Sequence, residues 1–413
     1  MRCIIAKTGL TVSEIESRCR QAGAKNVKAM PLVKQVACDL DEAQVTRLKD
    51  MGLKVKPVER VETSQLVRYP VYTMGFIIGD ELDPLRRAFS PALTGTGLTV
   101  AVLDSGIRST HGDLVGKVVY ERNFSLSETL SDIFNHGTNI ASIIAGDRCG
   151  VAPGAALINI KVLNDDGTGT EESVIDGLEA VCELVEEAKI GGLLVYDPEY
   201  PNVANISLGA PDDPDPDSPL KLAARIAMEE YQLEVIASAG NSGPEAHTIM
   251  CPASEPSVIA VGGMESEQMA IWERSSRGPT LAGEIKPDFV AWCVAIEGAS
   301  ATADDEYVAK TGTSFATPVL SGMRGLMDEA GRARYGLDFQ LPWSTVRSFA
   351  PFVCTKAPGV PLSKDNDWGY GLPLFADIAR SVAKPVVDVT PAIALMGIGM
   401  VGMFMIPMAE AWR

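Results

Sequence analysis

The chain has 413 residues, 46% of them hydrophobic and 22% charged, and its 54 Asp and Glu against 36 Lys and Arg give a formal net charge of −18. This composition is that of a globular protein too long for one small core, and it excludes a disordered chain. The acidic balance argues against nucleic acid or an anionic membrane surface as the main partner. The eight cysteines are scattered, without a C-x-x-C pair or a histidine at ligand spacing. We therefore expect buried thiols and no zinc site.

The first 66 residues predict a small α+β unit with the element order βαββαβ. The stretch "RCIIAK" is typical of a strand, and Thr11 with Glu14 three residues later predicts the N-cap of a helix. A strand pair, a second helix ending at Gly52 and a last strand in "LKVKPVERV" follow. The only apolar run before Lys7 is four residues long, too short for a secretory signal peptide.

From residue 94 onward the chain alternates between strand-like and helix-like segments. The segments are "LTVAVLD", "NIASIIAG", "ALINIKVL", "EESVIDGLEAVCELVEEAKI", "VANISLG", "PLKLAARIAMEEYQ", "LEVIASAG" and "SVIAVGG". Such alternation predicts an α/β fold, with a doubly wound, mainly parallel sheet and helices on both faces. In these sheets the chemistry collects at the carboxyl ends of the strands.

The C-terminal stretch "AIALMGIGMVGMFMIPMA" (residues 392–409) is apolar and uncharged over 18 residues. That length is at the lower edge of what can cross a bilayer, so it is a candidate transmembrane helix, and the alternative is a terminal helix that docks on the body of the protein. The predicted organisation is therefore 1–72 as an N-terminal domain, 73–384 as the main domain and 385–413 as a tail.

Three polar stretches fall at predicted strand ends or helix starts. Asp104 follows a buried strand in "TVAVLDSG", His136 precedes a helix in "NHGTN", and Ser314 stands between a Gly-rich turn and a helix in "TGTSFATP". A serine hydroxyl needs a neutral imidazole to accept its proton and a carboxylate to fix the tautomer of that imidazole. Asp, His, Ser is one of the three chain orders in which this apparatus is known.

Between about Thr94 and Ala376 the sequence closely resembles the subtilisin family of serine proteases. The resemblance rests on a set of motifs that occur in the family's order. These motifs are "VAVLDSGI", "HGTNIASIIAG", "GVAPGAALINIKVL", "ISLG", "IASAGNSG", "PSVIAVGG", "SSRGP", "GTSFATPVLSG" and "WGYGLPLFA". The separation of 32 residues between Asp104 and His136 also agrees with the family.

The resemblance implies a role for each matching residue. Asp104 would orient the base, His136 would be the general base, Ser314 the nucleophile and Asn241 the side-chain donor to the oxyanion. The segment 207–209 would pair with an extended peptide substrate. The residues implied in substrate binding are Ser207, Leu208, Gly209, Ala239, Gly240 and Met250. Because Ile249 and Met250 stand where many relatives have smaller residues, we expect a shallow pocket for small or medium apolar side chains.

The sequence also departs from the family pattern. Asn139 replaces the second histidine of the usual HGTH motif, outside the catalytic residues. The insertion that carries the family's high-affinity calcium site is absent, because "AGDRCGVAPG" passes directly to the next strand. Catalysis in this family requires no cofactor or metal. A structural calcium ion is left open at the acidic segment 210–220, where the alternative is a solvated loop stiffened by prolines, and carboxylates there would favour basic substrates.

Three further residues near these motifs have expected roles outside the catalytic set. His111 matches a family position but is expected to be structural. His247 follows the oxyanion segment and is expected to be a solvated loop residue. Cys251, next to the predicted pocket, predicts sensitivity to thiol reagents.

The resemblance also implies a role for the N-terminal domain, that of a propeptide. In this family a βαββαβ propeptide assists folding, and its tail occupies the active site as an inhibitor until it is cut. A cut near Tyr72 to Met74 is expected here. The alternative is a permanent regulatory or partner-binding domain.

The sequence thus predicts an autoprocessed serine endopeptidase that acts on proteins or peptides and is inhibited by its own propeptide. The candidate transmembrane helix in the tail would anchor it to a membrane. The competing hypothesis is a noncatalytic, membrane-tethered peptide-binding protein on the same fold. A third is acyl transfer to an amine in place of hydrolysis. The localisation is left open.

Overall fold

The computed structural model of the chain describes residues 1–63, 92–190, 200–265, 269–336, 339–375 and 378. The predicted cut near Tyr72 to Met74 and the candidate membrane span at 392–409 lie outside these residues. Within them, no helix combines the length and the apolar character that crossing a membrane requires.

The N-terminal domain has the predicted βαββαβ order. Its elements are β1 (Arg2–Ala6), α1 (Val12–Gln21), β2 (Lys25–Met30), β3 (Gln35–Asp39), α2 (Glu42–Asp50) and β4 (Lys54–Pro57). The strands form an antiparallel sheet in the order β2-β3-β1-β4. Thr11 and Glu14 form the predicted capping box, since each side chain accepts a hydrogen bond from the other residue's backbone N–H. Both helices therefore begin at local sequence signals, and they cover a small core that includes Ile15 and Leu48.

The main domain is built on an eight-stranded sheet. Its strands are β6 (Thr99–Asp104), β7 (Val118–Asn123), β8 (Ala156–Lys161), β10 (Val203–Ile206), β11 (Glu234–Ser238), β12 (Ile259–Glu265), β13 (Ala270–Ile271) and β14 (Phe289–Trp292). They lie in the order β13-β12-β11-β10-β6-β8-β7, with β14 also paired to β12. Every pairing is parallel except that of β13. The doubly wound α/β fold predicted from the sequence is confirmed.

Helices pack on both faces of this sheet. They are α3 (Gly137–Ala145), α4 (Glu171–Ile190), α5 (Pro219–Glu229), α6 (Thr313–Tyr335) and α7 (Trp343–Val353). Along β6, Val100 and Val102 belong to the core shared with α3, α6 and α7, whereas Ala101 and Leu103 belong to the core shared with α4 and α5. A strand buried on both faces needs apolar residues at successive positions, which explains the uninterrupted run "VAVL".

The remaining strands lie outside the large sheet. They are β5 (Arg60–Glu62), β9 (Thr168–Thr170), β15 (Ile296–Ala299), β16 (Tyr307–Lys310), β17 (Cys354–Thr355) and β18 (Leu372–Pro373). They pair antiparallel as β5 with β9, β15 with β16 and β17 with β18.

Strand β6 is the point at which the chain order of the sheet reverses. The chain continues from β6 to β7 and β8 on one side, and it later adds β10, β11 and β12 on the other side. The carboxyl ends of β6 and β10 are neighbours, with Leu103 paired to Ile206. Ligands of open α/β sheets bind at such a reversal, so the fold directs attention to Asp104 and Ser207, the residues at these two strand ends.

The N-terminal domain lies against the face of the main domain formed by α4 and α5. Ile4, Met30 and Val33 contribute to the core on that face, so the two domains share buried apolar surface. Around this contact, Arg2 forms an ion pair with Glu172 at 2.8 Å, and Lys28 pairs with Glu172 at 3.3 Å. Residues 1–63 carry 12 Lys and Arg against 8 Asp and Glu in an otherwise acidic chain, so opposite charges meet at the contact.

Candidate active site

Asp104 and His136 form a buried hydrogen-bonded pair. Asp104 is the last residue of β6 and His136 is the N-cap of α3, and both are fully buried. Nδ1 of His136 lies 2.8 Å from Oδ1 of Asp104, which also accepts a hydrogen bond from the Ser105 N–H at 2.7 Å. Nε2 of His136 has no hydrogen-bond partner among the described residues. A proton on Nδ1, held by the carboxylate, leaves Nε2 as a proton acceptor.

The close approach of β6 to α3 depends on Gly137. A Cβ at that position would lie 2.2 Å from the Gly106 carbonyl oxygen and 3.1 Å from Cβ of Asp104. Only glycine therefore allows the imidazole to reach the carboxylate, which explains the glycine that follows the histidine in the motif.

Ser314 lies in the first turn of α6, at the same end of the sheet. Its hydroxyl donates a hydrogen bond to the Ser207 carbonyl at 2.9 Å, and the Ser207 hydroxyl donates to the Ser314 carbonyl at 3.0 Å. The ring of the next residue, Phe315, is 5.4 Å from the His136 ring between centroids. The start of α6 thus borders both the imidazole and the carboxyl end of β10, while the Ser314 hydroxyl itself points toward Ser207.

Asn241 is held with its amide nitrogen next to the start of α6. Oδ1 of Asn241 accepts hydrogen bonds from the backbone N–H of Thr313 at 2.9 Å and from its hydroxyl at 2.8 Å. These two bonds fix the amide orientation. Nδ2 is buried and has no partner among the described residues, and a Cβ at Gly312 would lie 2.9 Å from it. Nδ2 is therefore a preorganised donor without an acceptor.

A second buried carboxylate, Asp132, supports the segment that carries His136, and the sequence reasoning missed it. Asp132 accepts hydrogen bonds from the Ser105 hydroxyl at 2.9 Å and from the backbone N–H of Asn135 and Thr138 at 2.8 and 2.9 Å. Burial raises the pKa of Asp132, and the nearby charge of Asp104 adds to the effect. No pattern in the sequence marks Asp132 as the support of this segment.

The segments around the predicted substrate cleft are fixed by backbone hydrogen bonds. The Met250 N–H donates to the Ala239 carbonyl at 2.9 Å, and Ala210 and Cys251 exchange two bonds of 2.9 Å. The Met250 side chain lies between the two predicted cleft glycines. A Cβ at Gly240 would lie 2.7 Å from Cγ of Met250, and one at Gly209 would lie 3.4 Å from its Cε. Leu208, Ala239 and Gly209 are buried around it.

Two expectations for this region require correction. Ile249 is 2% exposed and belongs to the core between the sheet and α4 and α5, so only Met250 of the pair reaches the cleft. The side chains of neighbouring residues in an extended segment point to opposite sides. The sequence alone does not tell which of the two, Ile249 or Met250, faces the cleft. Cys251 is also buried, and burial raises the pKa of its thiol. It therefore lacks both the exposure and the thiolate that reagent sensitivity requires. All eight cysteines are free and buried.

The other two histidines are arranged as expected. His111 is fully buried, with Nε2 at 2.8 Å from the Glu306 carbonyl and Nδ1 accepting from the Asp113 N–H at 3.1 Å. Both of its nitrogens are thus used in structural bonds. His247 is an exposed loop residue with φ 62°, and its Nδ1 lies 3.3 Å from the Thr280 carbonyl.

Asn139, which stands where related sequences have a histidine, joins α3 to the β15–β16 hairpin. Its Nδ2 donates to the Ala299 carbonyl at 3.3 Å and to the Val308 carbonyl at 3.1 Å. A Cβ at Gly298 would lie 2.6 Å from this nitrogen. The hairpin can approach the helix that begins at His136 because residue 298 has no side chain.

The acidic segment 210–220 uses its carboxylates in ion pairs. Asp212 pairs with Lys221 at 2.7 Å, Asp217 with Arg225 at 2.9 Å, and Asp213 and Asp215 share Lys56 of the N-terminal domain at 2.8 and 3.0 Å. The described part of the chain holds no cluster of His, Cys, Asp and Glu side chains arranged to bind a metal ion. In this conformation each of these carboxylates is paired with a cation of the protein.

Strand β5, the last described strand of the N-terminal domain, lies against β9. Strand β5 pairs with it in antiparallel register, with Val61 opposite Gly169 and Glu62 opposite Thr168. Val61 is fully buried, and a Cβ at Gly169 would lie 3.2 Å from its Cγ2. The edge of the main domain is therefore occupied by an extended segment of the same chain, in the manner of a bound peptide.

Comparison with known proteins adds three findings. The model of the subtilase family matches residues 95–371. The chain is 33% identical over 265 residues to serine protease AprX of Bacillus subtilis, covering 57% of this chain and 58% of AprX, and 32% identical over 317 residues to subtilisin E of the same organism, covering 74% of each. The fold is similar to the crystal structure of fervidolysin from Fervidobacterium pennivorans, a keratinolytic enzyme related to subtilisin, with a TM-score of 0.71, 22% identity, and coverage of 94% of this chain and 61% of fervidolysin.

Proposed function

The chain belongs to the subtilase family of serine peptidases, and from this premise we propose that it is an endopeptidase in which Ser314 is the nucleophile, His136 the general base and Asp104 the carboxylate that orients the base. The observation that carries the proposal is that two oriented groups at the site, Nε2 of His136 and Nδ2 of Asn241, are buried and have no hydrogen-bond partner among the described residues. Because the Asp104 carboxylate holds the imidazole and Thr313 holds the amide, these two atoms are fixed as an acceptor and a donor for reacting groups.

In the proposed reaction, the Ser314 hydroxyl turns from the Ser207 carbonyl toward Nε2 of His136. The oxygen attacks the substrate carbonyl carbon while its proton passes to Nε2, and the imidazolium is stabilised by Asp104. The carbonyl oxygen becomes an oxyanion that accepts hydrogen bonds from Nδ2 of Asn241 and from the Ser314 backbone N–H. Nε2 then gives its proton to the leaving amine, the C–N bond breaks and an acyl-enzyme remains.

Water completes the cycle. Nε2 of His136 removes one proton from water as the hydroxide oxygen attacks the acyl carbon, and the same proton returns to the Ser314 oxygen when the ester bond breaks. The products are a carboxylic acid and free enzyme. No cofactor enters these steps, and any structural calcium ion would serve stability alone.

The proposed substrate is an extended peptide that pairs with the segment at Ser207, Leu208 and Gly209. Its side chain at the cleaved position would enter the space between Gly209 and Gly240, near Ala239. Because Met250 already occupies part of this space, we propose a preference for small or medium apolar residues there.

The N-terminal domain is proposed to be the propeptide and inhibitor. Three features support this role: strand β5 occupies the β9 edge, Val61 is buried against the main domain, and basic residues of the N-terminal domain pair with acidic residues of the main domain. Cleavage of the segment after residue 63 would allow the N-terminal domain to leave, which would uncover β9. A domain that stays attached as a permanent regulator is the alternative.

Labelling with a fluorophosphonate probe tests the catalytic proposal. The wild-type chain, allowed to process itself, should be labelled at Ser314, and Ser314→Ala should not be labelled. Ser348→Ala removes an exposed hydroxyl at a helix far along the chain and should label like the wild type. Folded, processed protein that does not react would favour a noncatalytic peptide-binding protein. Products that carry an added amine nucleophile would instead indicate acyl transfer.

A further inference from the structure

The pairing of β5 with β9 extends by one residue of each strand, to Glu59 and Glu171, and the Glu171 side chain takes part in it. Glu171, the first residue of α4, donates its backbone N–H to the Glu59 carbonyl at 3.0 Å. In return, Oε2 of Glu171 accepts a hydrogen bond from the Glu59 N–H at 3.3 Å. This two-way contact places a carboxyl group at the junction between the N-terminal domain and the edge that it covers.

The junction is closed to solvent. Glu171 is only 5% exposed, although it is a glutamate at the end of a helix. The charged and titratable groups that face it are Lys56 and Glu59 from the N-terminal domain, and Asp213 and Cys251 from the main domain. Lys56 is already shared by Asp213 and Asp215. Among the described residues Glu171 therefore has no cation of its own, and the carboxylates of Glu59 and Asp213 lie nearby.

We propose that Glu171 makes the docking of the N-terminal domain on β9 sensitive to pH, with docking strong in acid and weak at neutral and higher pH. The proposal depends on the proposed role of this domain as an inhibitor. It adds a means of release: a rise in pH leaves a buried charge at the junction, and separation of β5 from β9 returns that charge to water.

The sign follows from the environment of the carboxyl. Burial is the main cause that raises the pKa of Glu171, from an ordinary 4.5 to about 7, and the charges of Glu59 and Asp213 add to it while the Glu59 N–H and Lys56 oppose it. The docked form thus binds the proton more tightly than a form with Glu171 in water. The stabilisation of docking is complete below pH about 4.5 and is lost as the pH rises to about 7.

Hydrogen exchange in the full chain tests the inference without relying on activity. Ser314→Ala keeps the chain uncut, and exchange is followed in peptides covering residues 58–63 and 167–172 between pH 4.5 and 8.5. Protection factors, corrected for intrinsic exchange, should fall on the order of 100-fold across this range. A peptide covering residues 99–104 should keep its protection.

Three variants in the Ser314→Ala chain make the test specific. Glu171→Gln keeps an acceptor for the Glu59 N–H but cannot ionise, so its protection should stay high at every pH. Glu187→Gln removes an exposed carboxylate from the same helix and should follow the parent chain. Glu59→Gln, an exposed change that is safe for folding, should move the midpoint to lower pH because it removes a charge that raises the pKa of Glu171.

The outcomes separate the two proposals. Protection of residues 58–63 that does not change with pH in the parent chain, or that falls equally in Glu171→Gln, would overturn the role of Glu171. Such a result leaves the proposed peptidase intact, because that proposal is judged by the labelling of Ser314 in the processed chain.

Discussion

Met250 should limit the size of the residue accepted at the cleaved position, and Met250→Ala should relieve this limit. The substitution removes Cγ, Sδ and Cε, the atoms that lie 2.7, 2.8 and 3.4 Å from the Cβ positions of the two cleft glycines. Three groups of methylene size at about 0.8 kcal/mol each give about 2.4 kcal/mol of new apolar contact for a larger substrate side chain. The ratio of kcat/KM for a leucyl over an alanyl substrate should therefore rise about 50-fold.

The assay compares two peptide anilides that differ only in this residue, using the processed protein. Ile249→Val is the matched control, because Ile249 points into the core: it should lower stability slightly and leave the ratio unchanged. An unchanged ratio in Met250→Ala, with the protein folded, would show that the substrate side chain does not enter this space.

The remaining predictions concern three other contacts. Asn241→Ala should lower kcat, measured at steady state with little change in KM, by roughly 10²–10³, the effect already established for the corresponding asparagine of a subtilisin. Lys56→Met in the uncut Ser314→Ala chain removes the cation shared by Asp213 and Asp215 and should speed hydrogen exchange of residues 58–63 about 5-fold. The buried carboxylate of Asp288 forms ion pairs with Lys286, Arg347 and Lys364. Asp288→Ala leaves these cations without their partner, so chemical unfolding should show that the free energy of unfolding falls by about 3–5 kcal/mol.

The parts of the fold that follow from local chemistry were predictable from the sequence. The four-residue pattern from Thr11 to Glu14 predicts the capping box, and the continuous apolar run of β6 predicts a strand buried on both faces. The ordered motifs placed Asp104 and His136 at the ends of such elements, which is why the pair meets in the structure.

Contacts between distant segments were not predictable in the same way. Asp132 has no pattern that marks it as the support of the His136 segment, since its partners are two backbone N–H groups and a hydroxyl. The acidic loop was open to interpretation as a calcium site or a specificity element because its partner, Lys56, is about 160 residues away in sequence. Glu171 gave no signal at all, because its burial exists only once β5 covers β9.

The Asn139 amide occupies the space that a side chain at residue 298 would need, and this limits how the two positions can change. No side chain can be added at residue 298 while the amide remains, and the amide has its two carbonyl acceptors only while the hairpin lies so near. The two positions should therefore be inherited together. A related chain with histidine at 139 would need the hairpin to lie farther out, and position 298 would then be free to vary.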